Sequence, residues 1–284
     1  MLAEHFFDLP VDAAVKEDEV WRSVIVPLLT TVNEDCKRIS QYGFTEILNN
    51  ALVHSEGHAI AIATRLTPIE LQLHIWDDGI GIYNKLKRDL HLDDERHAIL
   101  ELAKGKVTTN PTHHTGEGIF FTSRAADTFS LCSENIALLH DTESGDWLLD
   151  NTDFGSGTYV RLAIDTKTNR SLKAVFDRYT SGEEEYGFTR TIVPVFLAKY
   201  GDENLISRSQ ANRLVARFER FKEVILDFDN VSSIGQAFAD EIFRVFVSEH
   251  PSVRLRWIRA SGEVDSMIRR ALSEGNEPYQ LELV

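Results

Sequence analysis

Glu46, Asn50 and His54 follow one another at intervals of four, so on a helix they form a single polar line. A carboxylate in such a line can take a proton from an attacking water or hydroxyl, and an amide oxygen is a hard donor suited to Mg²⁺. Taken alone, the line also describes a solvated helix face. Three glycine-bearing runs downstream change its context. Asp77-Asp78-Gly79-Ile80-Gly81 ends a run of alternating apolar residues, and its glycines permit tight turning and close approach of a ligand, as well as a plain turn. Thr115-Gly116-Glu117-Gly118 leads into an apolar helical pattern, and a Gly-rich helix start offers backbone N–H groups to an anion, though an ordinary loop has the same composition. Gly155-Ser156-Gly157-Thr158 opens a strand pattern.

Periodicity supplies the elements that must hold these residues. Val20, Trp21, Val24, Ile25 and Leu28 recur at helical spacing behind Glu17, Asp18 and Glu19, with Pro27 kinking or shortening that helix. Asn33 caps a longer helix whose apolar face is Ile39, Ile47, Leu48, Ala51 and Leu52, and which ends near Ser55 and Gly57. Residues 58–65 and 71–76 alternate as two strands around a Thr67-Pro68 turn, an antiparallel hairpin. Residues 83–115 hold a small helix near Arg96–Lys104 and then a polar run, and read as a mobile segment. A helix from Gly118 to Ala126, strands near 129–132, 136–140, 147–149 and 158–164, and a connecting helix capped by Ser171 complete an α/β unit. The solvated run Ser181-Gly182-Glu183-Glu184-Glu185 sets a boundary, giving domains 1–182 and 183–284. Beyond it strands and helices alternate, which implies a parallel or mixed sheet, and Ser207 with Gln210 has capping-box spacing.

Two units agree with a length of 284 residues, at roughly 150 per domain. The formal charge of −15 disfavours direct binding to phosphate backbones and anionic membranes. Cys36 and Cys132 are isolated, with no zinc, redox-pair or disulfide spacing, which fits a reducing cytoplasm. There is no signal-like apolar start and no run long enough for a membrane span.

The order of these motifs, ExxxN on a helix, a strand ending in DxGxG, a variable segment, GxG at a helix start and GxGT on a late strand, resembles the GHKL (Bergerat) ATPase family over residues 15–165. The wording from Phe44 to His54 is most similar to the anti-sigma-factor serine kinase branch. The resemblance implies an α/β sandwich that binds ATP with Mg²⁺. By that likeness Asn50 holds the metal against the phosphates, Asp77 accepts from the adenine amino group, and Gly79 and Gly81 shape the adenine pocket. Thr115, Gly116 and Gly118 then belong to the phosphate side, Thr158 reaches adenine through water, and Glu46 is the catalytic base. Phe120 departs from the pattern, standing where the family often has a small residue, and its bulk would alter approach to the γ-phosphate. Lys104 and Lys106 are either solvated or able to reach phosphate, and His113 and His114 are loop residues or, less simply, metal ligands.

The second region, especially residues 224–235, resembles a smaller STAS-like α/β domain, which in anti-sigma antagonists is phosphorylated on a serine by a GHKL kinase. Gln236 occupies the place of that serine and cannot accept a phosphoryl group, while Ser232 and Ser233 read as turn residues. The expectation is an ATP-binding, slowly hydrolysing regulatory protein whose nucleotide state controls contacts of its STAS-like domain or a regulatory protein partner. A serine/threonine kinase acting on a separate partner, and a nucleotide sensor without chemistry, are the alternatives. A homodimer is left open.

Overall fold

The computed structural model describes residues 2–107, 116–150, 152–182, 187–199 and 204–273. The chain is mixed α/β and separates into two compact units, Met1–Ala98 with Gly105–Asp177 and Ile99–Lys104 with Arg178–Val284.

The first unit is built on a seven-stranded antiparallel sheet of β1 (Ala3–Pro10), β2 (Ala59–Leu66), β3 (Glu70–Asp77), β4 (Thr128–Ser133), β5 (Ile136–Asp141), β6 (Gly145–Asp150) and β7 (Thr158–Asp165). Its strand order is β1-β2-β3-β7-β4-β5-β6. Strand alternation fixes the two faces: Leu71, Leu73, Ile75, Val160 and Leu162 are buried, while Gln72, His74, Trp76, Tyr159 and Arg161 are half-buried on the other side. There Trp76 lies opposite Tyr159 in the register and stacks on it at 5.1 Å, and His74 Nδ1 meets Tyr159 Oη at 2.9 Å.

Helix α1 (Glu34–His54) covers the apolar face with Ile39, Phe44, Ile47, Leu48 and Ala51. Its start is fixed by Asn33, whose side-chain oxygen accepts from Cys36 N at 2.9 Å while its amide donates to Thr168 O at 2.7 Å. Gly43 allows the helix to lie close to the sheet, since a Cβ there would stand 2.8 Å from Leu162 Cδ1. The N-terminal helical turns run Glu17–Val20, Trp21–Ile25 and Val26–Leu28, with Pro27 in the last, tighter turn, as its missing N–H predicts.

Two helices follow β3, α2 (Ile82–Leu90) and α3 (Glu95–Lys104), so most of the segment expected to be mobile is regular structure. α4 (Gly118–Ala125) and α5 (Leu172–Arg178) complete the set before the second unit.

In the second unit β8 (Arg190–Pro194), β9 (Glu223–Asp227) and β10 (Arg254–Ile258) form a parallel sheet in the order β10-β9-β8. Helix α6 (Arg208–Val215) carries the expected capping box between Ser207 and Gln210. It ends at Val215. Arg217 adopts a left-handed backbone and turns the chain, and the following 3₁₀ turn delivers Phe218 fully into the core. Helix α7 (Gln236–Asp240) is prolonged by π-helical Glu241–Phe246 and by Val247–Glu249, and α8 (Gly262–Ser273) closes the unit.

The last part of α3 belongs to this second unit. Lys104 is 1% exposed, and its Nζ donates to Glu101 Oε1 at 2.6 Å and to the Arg213 and Ala216 carbonyls at 2.8 and 3.0 Å. Those carbonyls lie at the C-terminal end of α6, so Lys104 is a helix cap. It is neither a solvated lysine nor a phosphate ligand, the two roles its sequence context allowed.

Candidate functional site

Helix α1 carries Glu46, Asn50 and His54 along one line, and two loops meet that helix at different heights. Near its middle, Glu46 lies against the start of α4: a Cβ on Gly118 would fall 2.0 Å from Glu46 Oε2 and 2.9 Å from its Cδ. Any side chain at position 118 would force that carboxylate to move. Burial pushes the Glu46 carboxyl above the ordinary range, and the nearby carboxylates Glu117 and Glu17 push it the same way. The neighbouring Tyr42 phenol is raised as well, first by burial and then by Glu46 and Glu117.

At the end of α1, Ser55 O accepts from Ile80 N at 3.0 Å, which seats the Asp77–Gly81 loop there, and a Cβ on Gly79 would fall 2.0 Å from the same oxygen. The Asp77 carboxylate is held by Gly79 N at 3.0 Å and Thr158 N at 3.2 Å, joining the end of β3 to the start of β7. Burial raises the Asp77 carboxyl more than these two bonds lower it. Thr158 Oγ1 in turn accepts from Ile82 N at 3.1 Å, at the first residue of α2. Gly157, at φ +92°, presses on Asp77: a Cβ there would meet Asp77 O at 1.9 Å. Gly81, at φ +81°, would place a Cβ 2.3 Å from Ser133 Oγ. The adjacent Asp78 has a different task, since its Oδ1 accepts from His58 N at 2.6 Å and Ala59 N at 2.9 Å and so ties the hairpin.

Asn50 lies between these contacts, half-buried and one turn beyond Glu46. From residue 46 to residue 55 the helix rises about 13 Å. The structure therefore brings together Glu46 with Gly118 at one level, and Asp77, Gly79, Gly81 and Thr158 at another. Gly116, at φ +71°, accepts from Val107 N at 3.1 Å and closes the base of the segment between them. Thr115, His113 and His114 lie outside the described residues.

Phe120 does not crowd this site through an exposed ring. It is 2% exposed, edge-on to Phe121 at 5.4 Å and capped by the Arg124 guanidinium at 5.4 Å, so its bulk belongs to the core. Arg124 itself forms a bidentate pair with Asp146, a link between α4 and β6 that sequence spacing gives no hint of. A cavity of about 320 Å³ opens beside Ser133, lined in part by Glu95, Glu134 and Asp150. Those carboxylates engage Lys87, Asn84 and Arg96 respectively, and the acidic lining does not suit a phosphate chain.

Among the described residues no group of three or more His, Cys, Asp or Glu side chains could hold a metal ion. A Mg²⁺ that takes one protein oxygen and the rest from phosphates and water needs no such group. Among the described residues, no helix is long and apolar enough to cross a membrane.

In the second unit Gln236 opens α7 with Gly235 as its N-cap. Ser232 O accepts from Ser261 Oγ at 3.0 Å, a contact between segments 29 residues apart. Phe238 is fully buried and Asp240 pairs with Arg244 one turn on.

Residues 210–265 match the family described as a STAS-like domain of unknown function (DUF4325), so the chain carries a STAS-like domain at its C-terminal side. No curated protein matches the chain.

Proposed function

We propose that the first unit is a GHKL-type module that binds ATP with Mg²⁺, and that the protein hydrolyses ATP slowly, its nucleotide state setting the contacts of the STAS-like domain or of a regulatory protein partner. The observation that carries this reading is the two-level arrangement on α1: a raised carboxylate against a glycine helix start at one level, a second carboxylate locked among glycines at the other. The fit is physical. Asp77 presents an acceptor in a partly desolvated loop, suited to an adenine amino group, with Thr158 beside it to reach the base through water. Gly79 and Gly81 let the loop pack tightly against Ser55 and Ser133, which fixes the backbone beside Asp77. Gly116, Gly118 and the adjoining Thr115 would face the phosphates, where the first N–H groups of α4 attract anions.

Bound Mg²⁺ would neutralise developing charge on the phosphates, held there by Asn50. Glu46 takes the proton from the attacking oxygen, and its raised basicity suits it to that task near neutral pH. The same base could serve a serine hydroxyl of a separate protein, and Gln236 at the head of α7 argues that the acceptor is not this chain's own STAS-like domain. Incubation of the full chain with Mg²⁺ and ATP labelled on the γ-phosphate tests the reading. Label released as free phosphate supports it, and label on an added partner promotes the kinase. Label retained on ATP that binds tightly reduces the protein to a sensor. Failure to bind ATP overturns all three.

A further inference from the structure

Helix α3 ends in an unusual environment for a surface segment: Ala98, Ile99, Leu100 and Glu101 are essentially inaccessible, and Leu102, Ala103 and Lys104 are buried. Ile99–Lys104 forms part of the second unit, yet it lies more than a hundred residues before the region that matches the STAS-like family. Its polar groups are all engaged there. Besides capping α6 through Nζ, Lys104 accepts from Thr191 Oγ1 on β8 at 2.7 Å through its carbonyl, and the ammonium stands 5.5 Å from the Phe218 ring. Glu101, 1% exposed, also accepts from Arg217 at 3.1 Å. A lysine so deeply placed has two alternatives, full coordination or a return to water, because a buried ammonium without partners is strongly disfavoured.

Immediately after Lys104 the backbone turns left-handed twice, at Gly105 (φ +83°) and Lys106 (φ +57°). The next residue, Val107, donates to Gly116 O. A Cβ on Gly116 would lie 2.4 Å from Val107 C, so the two strands of this base are in close contact. Gly116 is two residues from Gly118, against which Glu46 rests. Three residues of chain, spanning at most about 10 Å, therefore join the seat of Lys104 to the turn proposed to face phosphate.

We propose that this short connection is a coupling device: triphosphate at the Gly116–Gly118 turn steadies the Val107–Gly116 base and holds Lys104 in its seat on α6, and loss of the nucleotide loosens that seat. The STAS-like domain is on this account completed by a helix end from outside its matched region, and ATP controls the completion. The proposal rests on the ATP reading above and adds the element through which the signal passes.

Hydrogen exchange of the full chain, with and without a nonhydrolysable ATP analogue and Mg²⁺, tests it when calorimetry is run on the same samples. Exchange across residues 208–220 is expected to slow about fivefold or more when the analogue is bound, the usual scale of site-to-site coupling. Lys104→Met should speed exchange there without nucleotide, abolish the response to it, and weaken analogue binding by the factor that the parent shows in exchange, as linkage requires. Should that variant fail to fold, Thr191→Val removes a single hydrogen bond and should give the same changes in smaller degree. Analogue bound by calorimetry with unchanged exchange in residues 208–220 overturns the coupling and leaves the ATP reading standing. Absence of binding overturns the ATP reading and the coupling with it. Unaltered exchange in nucleotide-free Lys104→Met refutes the completing role of the helix end itself.

Discussion

At the candidate site the charges acting on Glu46 are other carboxylates, Glu117 and Glu17, whereas in the second unit Glu223 meets Arg190 and Arg256, Asp227 meets Arg259, and Asp240 meets Arg244. Glu46 and Asp77 are both held above the ordinary carboxylate range by burial, and Asp240 is held below it by its Arg244 hydrogen bonds. A carboxylate matched by arginine is structural: its charge is already answered. One kept partly buried among like charges or glycines retains unspent capacity for a proton, a metal-bound water or a ligand donor. The contrast supports the proposed site without reference to either unit's relatives.

The sharpest break would come from Glu46→Ala. Nucleotide binding should persist while turnover falls by about 10²- to 10⁴-fold, the range for a lost general base, and steady-state phosphate release reads the difference. Hydrolysis at the parental rate would return Glu46 to the class of solvated helix residues. Asp77→Asn comes next, with ATP affinity expected to drop about tenfold to a hundredfold, equivalent to roughly 1.5–3 kcal/mol, because the amide can present its donor to the adenine amino group. Titration calorimetry measures this directly, and unchanged affinity would remove Asp77 from the site.

In the second unit Arg259→Ala should lower unfolding free energy by about 2 kcal/mol, less than the 3–5 typical of a fully buried pair because Arg259 is half exposed while Asp227 is not. Denaturant titration with no loss of stability would show that the arginine pairs are ornamental. The smallest effect concerns pH. Since folding raises the Glu46 pKa, the protonated carboxyl contributes stability below the unfolded value, and that contribution is lost as pH rises through the folded one. Glu46→Gln, neutral throughout, should therefore melt above the parent at pH 7, with the gap closing toward about pH 4. A parent that melts higher at neutral pH would mean that the site carboxylate is matched after all.

Local chemistry made much of this legible in the sequence. Asn33, the Ser207–Gln210 box, the alternation of β2 and β3 and the glycine runs all act within a few residues of themselves. What escaped depends on distant partners. Strand β1 offers only Phe6 and Phe7 as a pattern, and its register is imposed by β2, 49 to 63 residues later. Lys104 finds its acceptors at residues 213 and 216, and no spacing rule reaches that far. Helix α2 has glycine at its N-cap and so no local side-chain cap, and its first N–H is taken instead by the Thr158 hydroxyl from another strand. Phe120 illustrates the same limit from the other side, since a motif position says where a residue falls in the chain and nothing of which way its ring turns.

Gly155 and Gly157 stand two residues apart in one run and have opposite futures under mutational drift. Nothing lies within 4 Å of a Cβ added to Gly155, and its φ of +72° is one that asparagine or aspartate also adopts. Gly157 has no such freedom, for the first carbon of any side chain would land on the Asp77 carbonyl. Lineages of this protein should admit asparagine or aspartate and little else at the first position, where backbone strain is the limit, and stay fixed at the second, where space itself is the limit.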